Sequence, residues 1–277
     1  MKDKLITLDF IKKTHPIFRG KHGDFFAKRG LKISGLNNVN SVYDYSKHLE
    51  GVEFCTHLLD GLGIDRIVRS EEILDKYKDE PFITVSNHAY GHVDGIANIE
   101  LVGSYQPNFK MMVNFILGMI DTLSGNFITV NPYDSDVFNK VSSLSGIKKC
   151  IAHLQEGNPL GLFPAGAISN LVRSNGKWTI EDRDWQPSVL KLIKLAKVPI
   201  IPIHVSGRNS SFFYLLGLID WRLRNLRLGH ELYNKKGNEM IFSIGEPITL
   251  KEQARFSNFE SFGRFLKTKT YELSKSK

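Results

Sequence analysis

The chain has 277 residues, 42% of them hydrophobic and 24% charged, with a formal net charge of +8. That is enough sequence to bury a large core, and it excludes a disordered, collagen-like or rod-forming polypeptide. The positive balance favours an acidic partner, but no zinc-ligand spacing, RNA-binding aromatic motif or basic zipper accompanies it, which argues against nucleic acid.

Along the chain, Met1–Lys13 carries charges throughout and lacks the apolar run of a secretory signal. No window approaches the ~18 consecutive apolar residues of a membrane-spanning helix. Asp9–Leu31 mixes Phe, Ile and Lys around Pro16 and reads as one or two short amphipathic helices, packed on the core or lying on a membrane. Val42, Leu49, Val52, Phe54, Cys55, Leu58, Leu59 and Leu62 recur near a 3.6-residue period, so a helix is predicted there, stopped at Gly61 and Gly63. No strand is predicted before residue 80. Cys55 and Cys150 fall in predicted helices and read as core or surface residues of a reducing compartment, with a single disulfide as the other reading.

From Pro81 the pattern changes. Short apolar runs (Phe82–Ser86, Lys110–Val113, Phe127–Val130, Pro159–Phe163, Val198–Val205, Met240–Ile244) alternate with helical periods at Val93–Val102, Ser135–Gln155 and Pro187–Ala196. Strands separated by helices predict an α/β fold with a mainly parallel central sheet flanked by helices. The predicted organisation is an N-terminal helical segment over 1–80, packed on or beside an α/β domain over 81–277 that ends in a surface helix, Asn258–Leu273. In such sheets ligands gather past the C-terminal ends of strands. Asn87-His88, Phe163-Pro164 and His204–Arg208 each follow a predicted strand, so their loops are expected to meet in one crevice.

The strongest local signal is Ser86-Asn87-His88-Ala89-Tyr90-Gly91-His92-Val93-Asp94-Gly95. A neutral imidazole leaving a strand can take a proton from an attacking hydroxyl, and a carboxylate six positions on can hold its other nitrogen. Gly91 and Gly95 let the loop turn tightly enough for the two to meet. His92 competes with His88 for the role on chemistry alone. The second block, Leu162–Ser169, ends a strand in Pro164 and Gly166; its amides, with Ser169, are candidate donors to an anion or oxyanion, or form an ordinary turn. The third, Val198–Asn209, reads as a buried strand flanked by prolines, followed by Arg208, placed to meet phosphate or carboxylate. Lys110 and Arg173 are further candidates for an anionic head group or donor phosphates.

In this order and at these separations the blocks resemble the glycerolipid or lysophospholipid acyltransferase superfamily, over roughly residues 80–250. The resemblance is closer to its haemolysin-like branch, associated with acylating lysophospholipids or lyso amino-acid lipids such as ornithine and glycine lipids. It is carried by Asn87-His88 to Asp94-Gly95, Phe163-Pro164-Ala165-Gly166, and Gly207-Arg208-Asn209-Ser210 followed by Phe213-Tyr214. Gly125–Asp134, with Asn131-Pro132, stands where the family has its acceptor-binding block. Two departures are visible. Five residues separate His88 from Asp94 where most of the superfamily has four, and the glutamate usual in the family's Phe-Pro block is absent between Phe163 and Ser169.

The resemblance implies an O-acyltransferase with His88 as general base and Asp94 as its partner. Asn87, Phe163, Pro164, Gly166, Ser169 and Arg208 are the expected substrate contacts. The acyl thioester of coenzyme A or acyl carrier protein serves as co-substrate, with no resident cofactor and no metal. The expected acceptor is a lyso-lipid hydroxyl, and the expected place is cytoplasmic, peripheral on the inner face of the membrane. Phe212–Leu223 is densely apolar, and Arg222, Arg224 and Arg227 lie at its end; it reads either as a core helix with a basic cap or as a patch that docks on anionic lipid. Two other functions compete. A catalytically inactive lipid-binding or scaffold protein would fit the missing glutamate, and a hydrolase is disfavoured because no Gly-Xaa-Ser-Xaa-Gly elbow occurs.

Overall fold

The computed structural model describes residues 25, 29, 35–130, 137–174, 176–220, 224, 225 and 227–275. The amphipathic reading of Asp9–Leu31 (Phe25 and Arg29 apart), the Asn131-Pro132 pair and Trp221–Leu223 lie outside the described residues. Nine strands and ten α-helices are present among those described, beside short 3-10 turns. They are α1 (Leu36–Ser46), α2 (Gly51–Gly61), β1 (Asp65–Arg69), α3 (Glu72–Lys76), β2 (Ile83–Ser86), α4 (Val93–Tyr105), β3 (Lys110–Asn114) and β4 (Phe127–Val130). Next come α5 (Val137–Gln155), β5 (Leu160–Leu162), β6 (Asn170–Ser174), β7 (Lys177–Glu181), α6 (Pro187–Ala196) and β8 (Ile200–Val205). The chain continues through α7 (Ser211–Ile219), α8 (Leu228–Tyr233), β9 (Glu239–Ile244), α9 (Leu250–Gln253) and α10 (Phe259–Glu272).

Seven strands form one sheet in the order β1-β9-β8-β2-β5-β3-β4. Every pairing in it is parallel except β8 with β9. The α/β sheet predicted from the alternating runs is therefore present, with β6 and β7 set apart as an antiparallel hairpin. The middle strands β2 and β8 are buried at every position, because helices cover both faces. On one face Phe54, Leu58 and Leu59 of α2 and Val93, Ala97 and Val102 of α4 pack with Ile201, Ile203 and Val205 of β8. On the other, Ile83 and Val85 of β2 meet Leu190 and Ile193 of α6 and Phe262 and Leu266 of α10. Residues alternate between the faces as the strand period of two requires.

Two expectations are corrected. The segment before residue 80 is not wholly helical: β1 pairs with β9 at the sheet edge. Its sequence, Asp-Arg-Ile-Val-Arg, holds charges because one strand face meets solvent, so it shows no apolar run. Arg66 is fastened there by Glu100 at 2.8 Å and Asp60 at 2.7 Å. The disulfide reading also fails. Cys55 and Cys150 are free thiols buried in clusters on opposite faces of the sheet, and burial pushes the Cys150 thiol up to about 12.

Candidate active site

The C-terminal ends of β2, β5 and β8 point the same way and bring three loops together. Asn87, the first residue after β2, uses both ends of its amide on the β8 exit. Its Nδ2 donates to Val205 O (2.9 Å), and its Oδ1 accepts from Val205 N (2.8 Å). Asn87 therefore joins the two loops and does not face the crevice with its side chain.

His88 Nδ1 lies 3.1 Å from Asp94 Oδ2. Asp94 is fully buried in the first turn of α4, where the helix dipole favours a negative charge. Its Oδ2 also accepts from Tyr90 N (2.9 Å), and its Oδ1 accepts from Gly91 N and Gly95 N (3.0 Å each). Gly91, at φ +103°, supplies the left-handed turn that folds the loop back on Asp94. Burial alone would raise the Asp94 pKa, but the His88 charge and hydrogen bond and the amides of Tyr90 and Gly91 hold it below the usual carboxylate range. For His88, burial opposes the charged ring, yet the Asp94 charge and hydrogen bond, with Asp182 behind them, hold its pKa above the ordinary 6.5. His92 is pushed down to about 4 by burial. Of the two histidines, His88 is the one that Asp94 binds.

Phe163 stacks on the His88 ring, with centroids 4.0 Å apart and planes 21° from parallel. The turn that follows is closed by Gly166 N donating to Phe163 O (2.9 Å), with Gly166 at φ +60°. Pro164 O accepts from Gln186 N. Ala165 O, where the family's glutamate is missing, accepts from Arg183 Nε (2.7 Å) and Gln186 Nε2 (3.1 Å). Ser169 N donates to His88 O (2.8 Å), which pins the end of this loop to the histidine backbone.

Sequence reasoning missed Asp182. Its carboxylate is 1% exposed and accepts from His88 N (3.2 Å), Ser169 Oγ (2.6 Å) and Trp185 Nε1 (3.2 Å). Burial pushes its pKa up, with Ser169 and the His88 amide working against that. Asp182 N donates to Tyr271 Oη, and Asp182 O accepts from Lys267, both on α10. No motif announced Asp182, since it follows a hairpin strand and no predicted element.

The other expected contacts divide. Arg208 is exposed on the loop after β8; Gly207 beside it, at φ +107°, lies so close to Tyr90 that a Cβ there would stand 1.6 Å from the hydroxyl. Arg173 is exposed on β6, opposite Trp178, and is not brought against His88. The expectation for Lys110 is corrected. It begins β3, and β3 runs parallel to β5 and hence to β2, so Lys110 sits at the end of the sheet away from His88.

An acyltransferase family profile matches residues 16–277. A lyso-glycine lipid O-acyltransferase of Bacteroides thetaiotaomicron is 27% identical over 97% of this chain and 97% of its own length. Another of that name from Phocaeicola vulgatus is 28% identical over 97% of this chain and 95% of its own. In fold, the chain is similar to the crystal structure of the 1-acyl-sn-glycerophosphate acyltransferase of Thermotoga maritima, with a TM-score of 0.50 and 15% identity, covering 97% of this chain and 92% of that one. A profile that spans nearly the whole chain, on a fold that holds His88 against Asp94, places this protein in the acyltransferase family.

Proposed function

We propose that this acyltransferase moves a fatty acyl group from a thioester, carried by coenzyme A or acyl carrier protein, to the hydroxyl of a lyso-lipid, with a lyso amino-acid lipid as the favoured acceptor. The observation that carries the reading is the His88–Asp94 pair at 3.1 Å. With the carboxylate on Nδ1, the free nitrogen is Nε2. As the acceptor oxygen attacks the thioester carbonyl carbon, Nε2 takes the hydroxyl proton, and Asp94 stabilises the imidazolium. The tetrahedral intermediate collapses, the carbon–sulfur bond breaks, and the thiol leaves with the proton from Nε2. Amides of the turn after Phe163 are the candidate oxyanion donors. Those of Gly166 and Ser169 already serve internal acceptors, so the role falls to Ala165, Ala167 and Ile168.

The two relatives' names support the choice of acceptor. Among the described residues no helix is long and apolar enough to cross a membrane, so access to a lipid calls for a docking surface. The helix α7 offers one: Phe212, Leu215, Leu218 and Ile219 are exposed, Ile219 by 75%. Arg227 stands 5.1 Å from the Phe212 ring centroid, where a cation can meet anionic head groups.

The test is to incubate the protein with mixed lyso-lipids and an acyl thioester and read by mass spectrometry which species gains a chain. A lyso amino-acid lipid is expected to gain one. His88→Ala should lower the gain by about 10²–10⁴ while keeping lipid affinity, and acylation at the wild-type rate in that variant would refute the mechanism.

A further inference from the structure

Arg224 is 6% exposed, and its Nε and Nη1 have no hydrogen-bond partner among the described residues. A guanidinium stripped of water without an acceptor is costly, so buried charges are ordinarily paired. The contacts described around it do not satisfy these donors. The Phe213 ring lies 5.3 Å from its Cζ, a favourable cation–π contact that satisfies no N–H. Burial and the like charge of Arg183 both work against its ionisation, and Tyr214 favours it. Glu231, the buried carboxylate nearest in effect to Tyr214, is already held by Ser210 N, Ser210 Oγ and Lys235 Nζ.

The position of this charge links it to the reacting centre. A Cβ built on Gly217 of α7 would stand 2.9 Å from Arg224 Cδ and 3.2 Å from Asn170 Oδ1, so the arginine stem and Asn170 flank the same spot on that helix. Asn170 follows Ser169, which bonds the His88 backbone. Arg183, the second cation, donates to Ala165 O in the turn that begins at Phe163, the residue stacked on His88. An anion reaching Arg224 therefore lies on the side of the crevice formed by the Phe163–Ser169 loop.

We propose that Arg224 receives the head-group carboxylate of the acceptor lipid, with Arg183 as the outer cation, while the hydroxyl of the same molecule lies at His88. This deepens the function proposed above and rests on it. A singly charged planar carboxylate neutralises one buried guanidinium and fits its fork. The phosphates of a thioester donor carry more charge and suit exposed cations such as Arg208. A glycine lipid whose amine is acylated keeps only its carboxylate. An ornithine lipid adds an ammonium, and Ala165 and Ala167 offer it no acid where the family's glutamate is missing.

The experiment uses the full chain, one acyl thioester, and two acceptors: an N-acylglycine lyso-lipid with a free carboxylate, and its methyl ester. Wild type is expected to favour the acid by at least about tenfold in kcat/KM. Arg224→Met, which keeps the packing on Phe213, should lose about 10–100-fold on the acid through KM, with the ester and the donor KM unchanged. Equal loss on acid and ester would reduce Arg224 to a packing residue, and a raised donor KM would assign it to the donor's phosphates. Either result overturns the proposal. The wild-type comparison needs no variant to fold: equal use of acid and ester sinks this assignment alone, whereas failure to acylate either sinks the lyso-lipid reading beneath it.

Discussion

The loop after β2 and the segment after β8 lie side by side, tied together by Asn87 and Asn209, and are built on opposite terms. In the first, each polar group of note is answered. Asp94 accepts four hydrogen bonds, Asn87 uses both ends of its amide, and Asp182 holds the His88 amide from behind. In the second, Arg224 is buried with its Nε and Nη1 unpaired, and α7 turns Leu215, Leu218 and Ile219 outward. Yet the second segment is not loosely attached: Ser210 caps α7 through Phe213 N and is itself gripped by Glu231. The difference separates two tasks. A reacting histidine needs its geometry fixed before substrate arrives, whereas a recognition surface keeps its unmet charge and apolar area for what it binds.

The largest test of that division is His88→Ala. Loss of the general base is expected to lower acyl transfer by about 10²–10⁴, with little change in the thermal midpoint because the ring is partly exposed at the crevice. Next comes pH. Because the His88 pKa is raised, the ring stays protonated to higher pH than an ordinary imidazole and must lose that proton to act as a base. kcat/KM should thus climb with pH through an apparent pKa above 6.5. In Asp94→Asn the climb should move to lower pH and the plateau should drop by about 10²; an unmoved profile would break the pair. Behind the site, Asp182→Ala strands the His88 amide and the Trp185 indole and leaves the Ser169 hydroxyl only His88 O, for a loss of about 1–3 kcal/mol in urea denaturation together with reduced activity. At the recognition surface, Leu215→Ser with Ile219→Ser should change stability by under about 0.5 kcal/mol and weaken binding to anionic vesicles about tenfold. If stability fell and vesicle binding did not, α7 would be a core helix after all.

How much of this was legible in the sequence follows from where the residues sit. Strands buried on both faces, such as β2 and β8, show short, mainly apolar runs, and the loops after the central strands carry the His88, Phe163 and Arg208 blocks in readable order. The edge strand β1 was hidden by its exposed face, which holds Asp65, Ile67 and Arg69. The β6–β7 hairpin stands outside the strand–helix alternation, and its signal is local: Asn175-Gly176, flanked by β-branched and aromatic residues. Asp182 and Arg224 carry no local pattern at all. Each matters only through groups 94 residues away for the Asp182 bond to His88, or through a missing partner, and neither relation is written in neighbouring letters. Lys110 shows the converse, a basic residue at a strand start that only the direction of the sheet could exclude.

The stacking of Phe163 on His88 has a consequence for fidelity. An activated thioester beside a basic nitrogen can acylate water as readily as an alcohol if water reaches that nitrogen. An aromatic ring covering one face of the imidazole narrows the approach to the edge where a lipid hydroxyl arrives, so the branching between lipid and free fatty acid is set by a side chain that takes no part in proton transfer. With Phe163→Ala, thioester consumption should continue while fatty acid accumulates at the expense of acylated lipid, turning a transferase partway into a thioesterase.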